Sequence, residues 1–302
     1  MKGSAGVQHW RATVVEARPG LRRDFKSTKR MQGDHRSPER ISAHYQLERQ
    51  LAQRLRDAPA HVRGRVYSEV YAELFRTLPD HPQSAPPRHS GRGRREASLL
   101  RPFLDRGAAY LELGCGDARV CFQVAARVAT AYGLDVTDVL IRRDLAPRNF
   151  KFVQTDGVNI PLPSESVDFA YSNQLMEHLH PEDAEGQLRE VRRVLKPGAR
   201  YLCTTPSRLT GPHDVSVFFD YEARGFHLRE YDYRSLRKLA LAAGFRQVDF
   251  HILLKGRRLP MPFVLGAALE WALDAAPASW RARLSRFRPL GLAMGINAVM
   301  RR

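Results

Sequence analysis

The chain has 302 residues, 43% apolar and 27% charged, with a formal net charge of +17. That composition suits one large globular domain, or one domain with an accessory piece, and excludes collagen-like and low-complexity chains. Three scattered cysteines, Cys115, Cys121 and Cys203, exclude a disulfide framework and a zinc cage, so no metal site is expected.

Residues 1–36 are basic, polar and aperiodic, and read as a disordered tail. They lack the apolar stretch of a secretory signal, and no run along the chain is long and apolar enough to span a bilayer; a cytoplasmic location is expected. Residues 37–96 read as a helical accessory region and linker. Ser37-Pro38-Glu39 is a helix start with Pro at the first helical position, and Leu47, Leu51 and Leu55 follow at helical spacing. A second helix sets Val66, Val70 and Leu74 on one face, with Tyr67, Tyr71 and Phe75 beside them. Pro79, Pro82, Pro86 and Pro87, then Gly91-Arg92-Gly93, mark the linker.

Residues 97–302 make the main domain. Strands are predicted over Ala109–Leu113, Ala131–Asp135, Phe150–Gln154, Val167–Ser172, Ala199–Thr205 and Gln247–Leu254, and helices over Arg119–Ala131, Pro181–Leu195 and Tyr233–Ala243. Such alternation gives an α/β fold: a three-layer, Rossmann-like, mostly parallel sheet with an N-terminal helical extension. Residues 263–288 are predicted to be a helical insertion or lid near the C-terminus, and Leu290–Met300 a last strand. The alternative for this tail is an amphipathic segment touching a membrane surface or a partner.

The positive charge is uneven. Residues 1–109 carry 22 basic and 11 acidic side chains, residues 110–257 carry 20 and 19, and residues 258–302 carry 7 and 2. Basic flanks invite RNA or an anionic membrane surface, but the middle of the chain is nearly neutral. Nucleic acid is therefore not the expected partner.

The first strand of the main domain runs into Gly114-Cys115-Gly116-Asp117-Ala118. Two glycines let the backbone turn sharply and approach a ligand, and the next helix points its N-terminus there. A dinucleotide fingerprint needs glycine where Arg119 stands, and no Gly-Lys-Ser/Thr follows. Asp135 ends the second strand, where a carboxylate accepts ribose hydroxyls; Asp156 follows the third, where one accepts from an adenine amino group.

This set resembles the class I S-adenosylmethionine-dependent methyltransferases. Leu111-Glu112-Leu113-Gly114-Cys115-Gly116 is similar to their first motif. So are Val167–Ser172 followed by Met176-Glu177-His178-Leu179, and Leu195-Lys196-Pro197-Gly198-Ala199. The resemblance covers about residues 98–254, with Ala118 where a third glycine is common and Glu112 where Asp is usual. It implies S-adenosylmethionine as cofactor. Glu112 would order the loop, and Gly114, Cys115 and Gly116 would line the methionine part. Asp135 would hold the ribose, Val136 would lie against the adenine, Asp156 and Gly157 would meet the adenine edge, and Asn173 would contact cofactor or substrate.

The implied activity is methylation of a small, partly apolar molecule, expected at a hydroxyl of a secondary metabolite, sugar or lipid-linked glycan. The alternatives are an RNA methyltransferase using the basic flanks and a non-catalytic binding protein that keeps the fold. Methyl transfer from a sulfonium needs no metal, and an oxygen nucleophile wants a base. The candidates are His213 with its neighbour Asp214, His178 after the fourth strand, and His227. The stretch 206–231 is long for a connection and is expected to face substrate. The substrate is expected to lie under this loop, helices 37–78 and helices 263–288, whose aromatics include Tyr45, Tyr67, Tyr71, Phe226, Trp271 and Trp280.

Overall fold

Buried, β-compatible runs in the middle of the chain pair side by side because each leaves both faces to be covered by helices. The computed structural model describes residues 20–81, 91–254, 256–284 and 286–302. The strands are β1 (Ala109–Leu113), β2 (Thr130–Asp135), β3 (Phe150–Gln154), β4 (Val167–Asn173), β5 (Leu195–Thr205), β6 (Gln247–Leu254), β7 (Arg257–Met261) and β8 (Ile296–Arg301). They form one sheet in the order β3-β2-β1-β4-β5-β8-β6-β7. Strands β1 to β5 pair in parallel, β8 inserts antiparallel between β5 and β6, and β7 runs antiparallel along β6 at the edge. Strand order reverses between β1 and β4, so the carboxyl ends of these two strands flank the crevice where open α/β sheets bind ligands.

Residues on opposite sides of the same strands build two cores. Leu111, Leu113 and Ala170 pack with Leu188, Val191 and Leu236 on one face. Tyr110 and Phe169 pack with Val120, Cys121 and Val124 on the other. The covering helices are α4 (Gly91–Leu100), α5 (Arg119–Ala125), α6 (Asp183–Val194) and α7 (Tyr233–Ala242). The expected helix over 119–131 stops at Ala125, and β2 begins at Thr130. Asp232 caps α7 through a reciprocal pair with Ser235, which stops the preceding loop at a fixed point.

Three further helices precede the sheet: α1 (Phe25–Gln32), α2 (Pro38–Asp57) and α3 (Ala60–Thr77). Ser37 caps α2 by accepting from the Arg40 amide, with Pro38 in the first turn. The disordered tail expected over 1–36 is corrected for residues 20–36. Phe25 is buried with Ile41, Tyr45, Val215 and Phe218, and Arg22 reaches the Asp220 carbonyl. One aromatic in a polar stretch is enough to dock a short helix when a pre-formed apolar cleft awaits it. Residues 1–19 and 82–90, which include parts of the expected tail and linker, lie outside the described residues.

Between β7 and β8 come α8 (Phe263–Asp274), α9 (Ala278–Leu284) and α10 (Arg288–Met294). The expected last strand over Leu290–Met300 therefore begins only at Ile296. Trp271 and Trp280 are 70% and 60% exposed, so neither joins an acceptor pocket.

Candidate functional site

The loop after β1 is built from left-handed backbone. Gly114, Gly116 and Ala118 have φ of 64°, 53° and 58°. A side chain on Gly114 would place its Cβ 2.9 Å from Leu175, while one on Gly116 would meet nothing within 4 Å. The Gly116 amide donates to Asp135 Oδ2 at 2.8 Å, and the Val136 amide donates to Oδ1 at 2.8 Å. Burial pushes the Asp135 carboxyl up, and these amide bonds oppose it. The carboxylate at the end of β2 thus holds the glycine loop in register.

Above this loop lies a cavity of about 770 Å³, its open mouth included. Gly114, Gly116, Asp135 and Val136 wall it from the sheet side; Tyr67, Tyr71 and Phe75 wall it from α3; Gly157 and His178 complete it. Helix α3 can lie this close because glycine stands at both contacts. A Cβ on Gly157, where φ is 92°, would sit 2.9 Å from the Tyr67 ring, and one on Gly64 would sit 2.7 Å from Asp156 Cβ. Tyr67 donates its hydroxyl proton to Asp183 Oδ2 at 3.0 Å and accepts from the His180 amide at 2.6 Å. Ser68 donates to the Val136 carbonyl at 2.9 Å, and Arg63 bridges Asp183 and Glu182.

Beside the His178 wall is a buried polar cluster. His178 donates from Nδ1 to the Phe226 carbonyl at 3.1 Å, and its ring stands edge-on to His227 with centroids 4.9 Å apart. His227 bonds through Nδ1 to Glu230 Oε1 at 2.7 Å. Thr205 donates to Glu177 Oε2 at 2.8 Å, while Glu177 Oε1 is buried with no hydrogen-bond partner. Burial lowers the His178 pKa to about 3, aided by neighbouring His227. Burial would lower His227 too, but the Glu230 bond and the Glu177 and Asp214 carboxylates lift it to about 9. Burial raises Glu177 to about 7.

Not every residue singled out in the sequence meets the cavity. Gly114, Gly116, Asp135, Val136, Gly157 and His178 wall it; Glu112, Cys115, Asp156 and Asn173 do not. Glu112 is buried beneath the loop, accepting from Tyr110 at 3.4 Å. Cys115 is buried against Gly133. Asp156 closes its own turn, accepting from the Val158 and Asn159 amides at 2.9 and 2.7 Å. Asn173 pairs with Thr204 in the sheet. His213 is exposed and walls a second cavity with Arg22, Thr28 and Arg286. Its amide donates to Glu230, whereas Asp214 accepts from the Ser216 and Gly225 amides. Asp214 therefore braces the loop and makes no bond to the His213 ring. Tyr71, expected among the aromatics over the substrate, walls the cavity, as does Phe75, which the sequence places only on a packing face; Glu177 stands out in the sequence only as part of a motif.

A family model described as a methyltransferase domain matches residues 111–203. The span starts in β1 and ends in β5, and so contains the loop, Asp135 and His178. Over residues 111–203 the chain carries a methyltransferase domain similar to those of the class I S-adenosylmethionine-dependent methyltransferase superfamily. A Mycobacterium tuberculosis protein named "Probable S-adenosylmethionine-dependent methyltransferase" is 34% identical over 151 residues, 49% of this chain and 53% of that one. A ubiquinone/menaquinone biosynthesis C-methyltransferase of Methylobacterium nodulans is 29% identical over 58% of this chain and 69% of its own. The chain spans about half the length of the mycobacterial relatives it matches. The fold is shared with the Burkholderia thailandensis 1,6-didemethyltoxoflavin-N1-methyltransferase, at 16% identity, a TM-score of 0.50, and coverage of 81% of this chain and 91% of that one.

The residues fit the superfamily's cofactor. The cradle at Gly114 is one a Cβ would fill, and Asp135 uses its two oxygens on three amides, including a longer bond from Thr137 at 3.5 Å. An ionised carboxylate has about four acceptor positions, so capacity remains for a ribose hydroxyl. Val136, Leu140 and Tyr71 supply apolar wall for a base.

Proposed function

We propose that this chain methylates a hydroxyl group of a small, partly apolar acceptor. The observation that carries the reading is the cavity itself: a glycine cradle and an acid on one side, an aromatic wall on the other, and His178 leading to a buried acid–histidine cluster. S-adenosylmethionine, when bound, supplies an electrophilic methyl group on a sulfonium. Gly114 and Gly116 would lie along the methionine part, Asp135 would hold the ribose, and Val136 and Tyr71 would enclose the adenine.

The chain's own part is positioning and exclusion of water. Tyr67, Tyr71 and Phe75 close the cavity from above, which narrows the entry to an acceptor placed against the Leu175–His178 wall. As the acceptor oxygen forms its bond to carbon and the bond to sulfur breaks, the hydroxyl proton must leave. Glu177, His178, His227 and Glu230 form the proton-accepting neighbourhood nearest that wall. Asp214 does not orient His213, because it is spent on loop amides. The aromatic walls favour a ring-bearing or lipid-linked acceptor, and a Pyrenophora dematioidea protein named "O-methyltransferase", 27% identical over 33% of this chain, is in keeping with a hydroxyl acceptor.

The test is calorimetric titration of the full chain with S-adenosylmethionine and S-adenosylhomocysteine, followed by transfer of labelled methyl to phenols and glycans. Micromolar cofactor binding and label in an ether linkage support the reading. Label in a C–methyl or N–methyl product overturns the hydroxyl assignment, and absence of cofactor binding overturns the whole.

A further inference from the structure

We propose that Glu177, His178 and His227 form a binding site for one divalent transition-metal cation beside the cofactor cavity. One ligand atom from each residue lies within 4.8 Å of the other two. Each side chain is prepared for the task. His178 spends its Nδ1–H on the Phe226 carbonyl at 3.1 Å, and a carbonyl only accepts, so Nε2 is left with its lone pair. His227 turns Nδ1 to Glu230 at 2.7 Å, which leaves Nε2 as its ligating atom. Metal-binding histidines are fixed by just such bonds from the other ring nitrogen to a carbonyl or carboxylate. Glu177 is 0% exposed, anchored through Oε2 by Thr205, and its Oε1 has no hydrogen-bond partner among the described residues. A buried carboxylate oxygen without a partner is costly, and a cation at the point shared by the three ligands removes that cost.

Two imidazoles and one carboxylate suit a first-row divalent ion such as Zn²⁺, Mn²⁺ or Co²⁺ rather than Mg²⁺, and three protein ligands leave positions open for an outside oxygen. His178 also walls the cofactor cavity, so an acceptor hydroxyl could occupy an open position and be polarised there. That role rests on the hydroxyl-transfer reading above; occupancy of the site does not. The proposal departs from the sequence expectation of no metal, which rests on cysteine spacing and on a reaction that needs none.

A second trio, His44, Glu48 and His81, has similar spacing but is already closed. His44 Nδ1 accepts from Arg36 at 2.7 Å, so its Nε2–H donates to Glu48 Oε1 at 2.7 Å, and Glu48 Oε2 accepts from the Phe226 amide. A guanidinium at 2.7 Å opposes an added cation. That trio serves as the internal control.

The experiment is titration of chelator-stripped full-length protein with Co²⁺, read by its visible absorption and by calorimetry. We expect one Co²⁺ per chain. Glu177→Gln and His227→Ala should each weaken binding at least about tenfold, and Glu230→Gln about 10- to 100-fold, as removal of an outer partner does. His44→Gln should leave binding unchanged. S-adenosylhomocysteine affinity and the melting temperature of each variant report that the fold persists. No stoichiometric Co²⁺ binding by the wild type overturns the site. So does unaltered binding in folded Glu177→Gln and His227→Ala, or its loss in His44→Gln. Co²⁺ binding in a protein that methylates no hydroxyl leaves the site standing and overturns only the acceptor reading.

Discussion

Asp135 accepts from Gly116 and Val136, and under the proposed function it also holds the ribose. Charge-assisted bonds of this kind contribute about 1.5–3 kcal/mol each. Asp135→Ala is therefore expected to weaken S-adenosylhomocysteine binding by roughly 10- to 100-fold, and Asp135→Asn by less, since the amide carbonyl still accepts. Equal affinity in calorimetry would place the ribose elsewhere. A second residue reports on pH. Glu270 is 3% exposed, accepts from the Tyr233 amide, and has Oε2 unpartnered. Burial lifts its pKa from 4.5 to about 7. The folded state then binds this proton more tightly than the unfolded state does, so the contribution of Glu270 to stability is fullest below pH 4.5, falls as pH rises towards 7, and is level above. Glu270→Gln should flatten the fall in melting temperature between pH 5 and pH 8; an unchanged slope would show that Glu270 is not its source.

At the scale of elements, much of the sheet was legible because its signals are local. The glycine loop, the acid at the end of β2 and the Lys196-Pro197-Gly198 segment at the start of β5 are each readable from neighbours in sequence. Helix α1 was not, because Phe25 is a single aromatic among charges and its cleft is built by residues 215–218, far along the chain. Strand β7 was missed because Pro260 argues against a strand; it is tolerated at a sheet edge, where one side of the backbone needs no partner. That helices 37–78 cover the site is expected from their aromatics, but the contacts that set α3 over the crevice are not readable; the two close-approach glycines make them testable. Gly157→Ala would place a methyl group 2.9 Å from the Tyr67 ring at a φ of 92°. Left-handed strain alone costs about 1–2 kcal/mol, and Tyr67 must shift as well. We expect a lower melting temperature together with several-fold weaker S-adenosylhomocysteine binding. Loss of stability with unchanged affinity would mean that α3 is not part of the cofactor wall.

At the scale of the molecule, the helical cap and the sheet share one site and are joined by continuous packing. Leu51, Val70 and Leu74 of the cap cluster with Phe226, and Val136 packs against them. Tyr71 stacks on Phe226 with centroids 4.9 Å apart and stands edge-on to His178. The cavity draws walls from both halves, so a ligand that binds the folded state stabilises both together. At one hundred times its dissociation constant, S-adenosylhomocysteine should add about 2.7 kcal/mol, or roughly 5 °C in a chain of this size. The whole melt is expected to move as a single transition in scanning calorimetry. If instead the protein melts in two steps and ligand shifts only the later one, the cap has unfolded without releasing the cofactor. The aromatic wall from α3 would then be packing alone, and the site would consist of the glycine loop and Asp135.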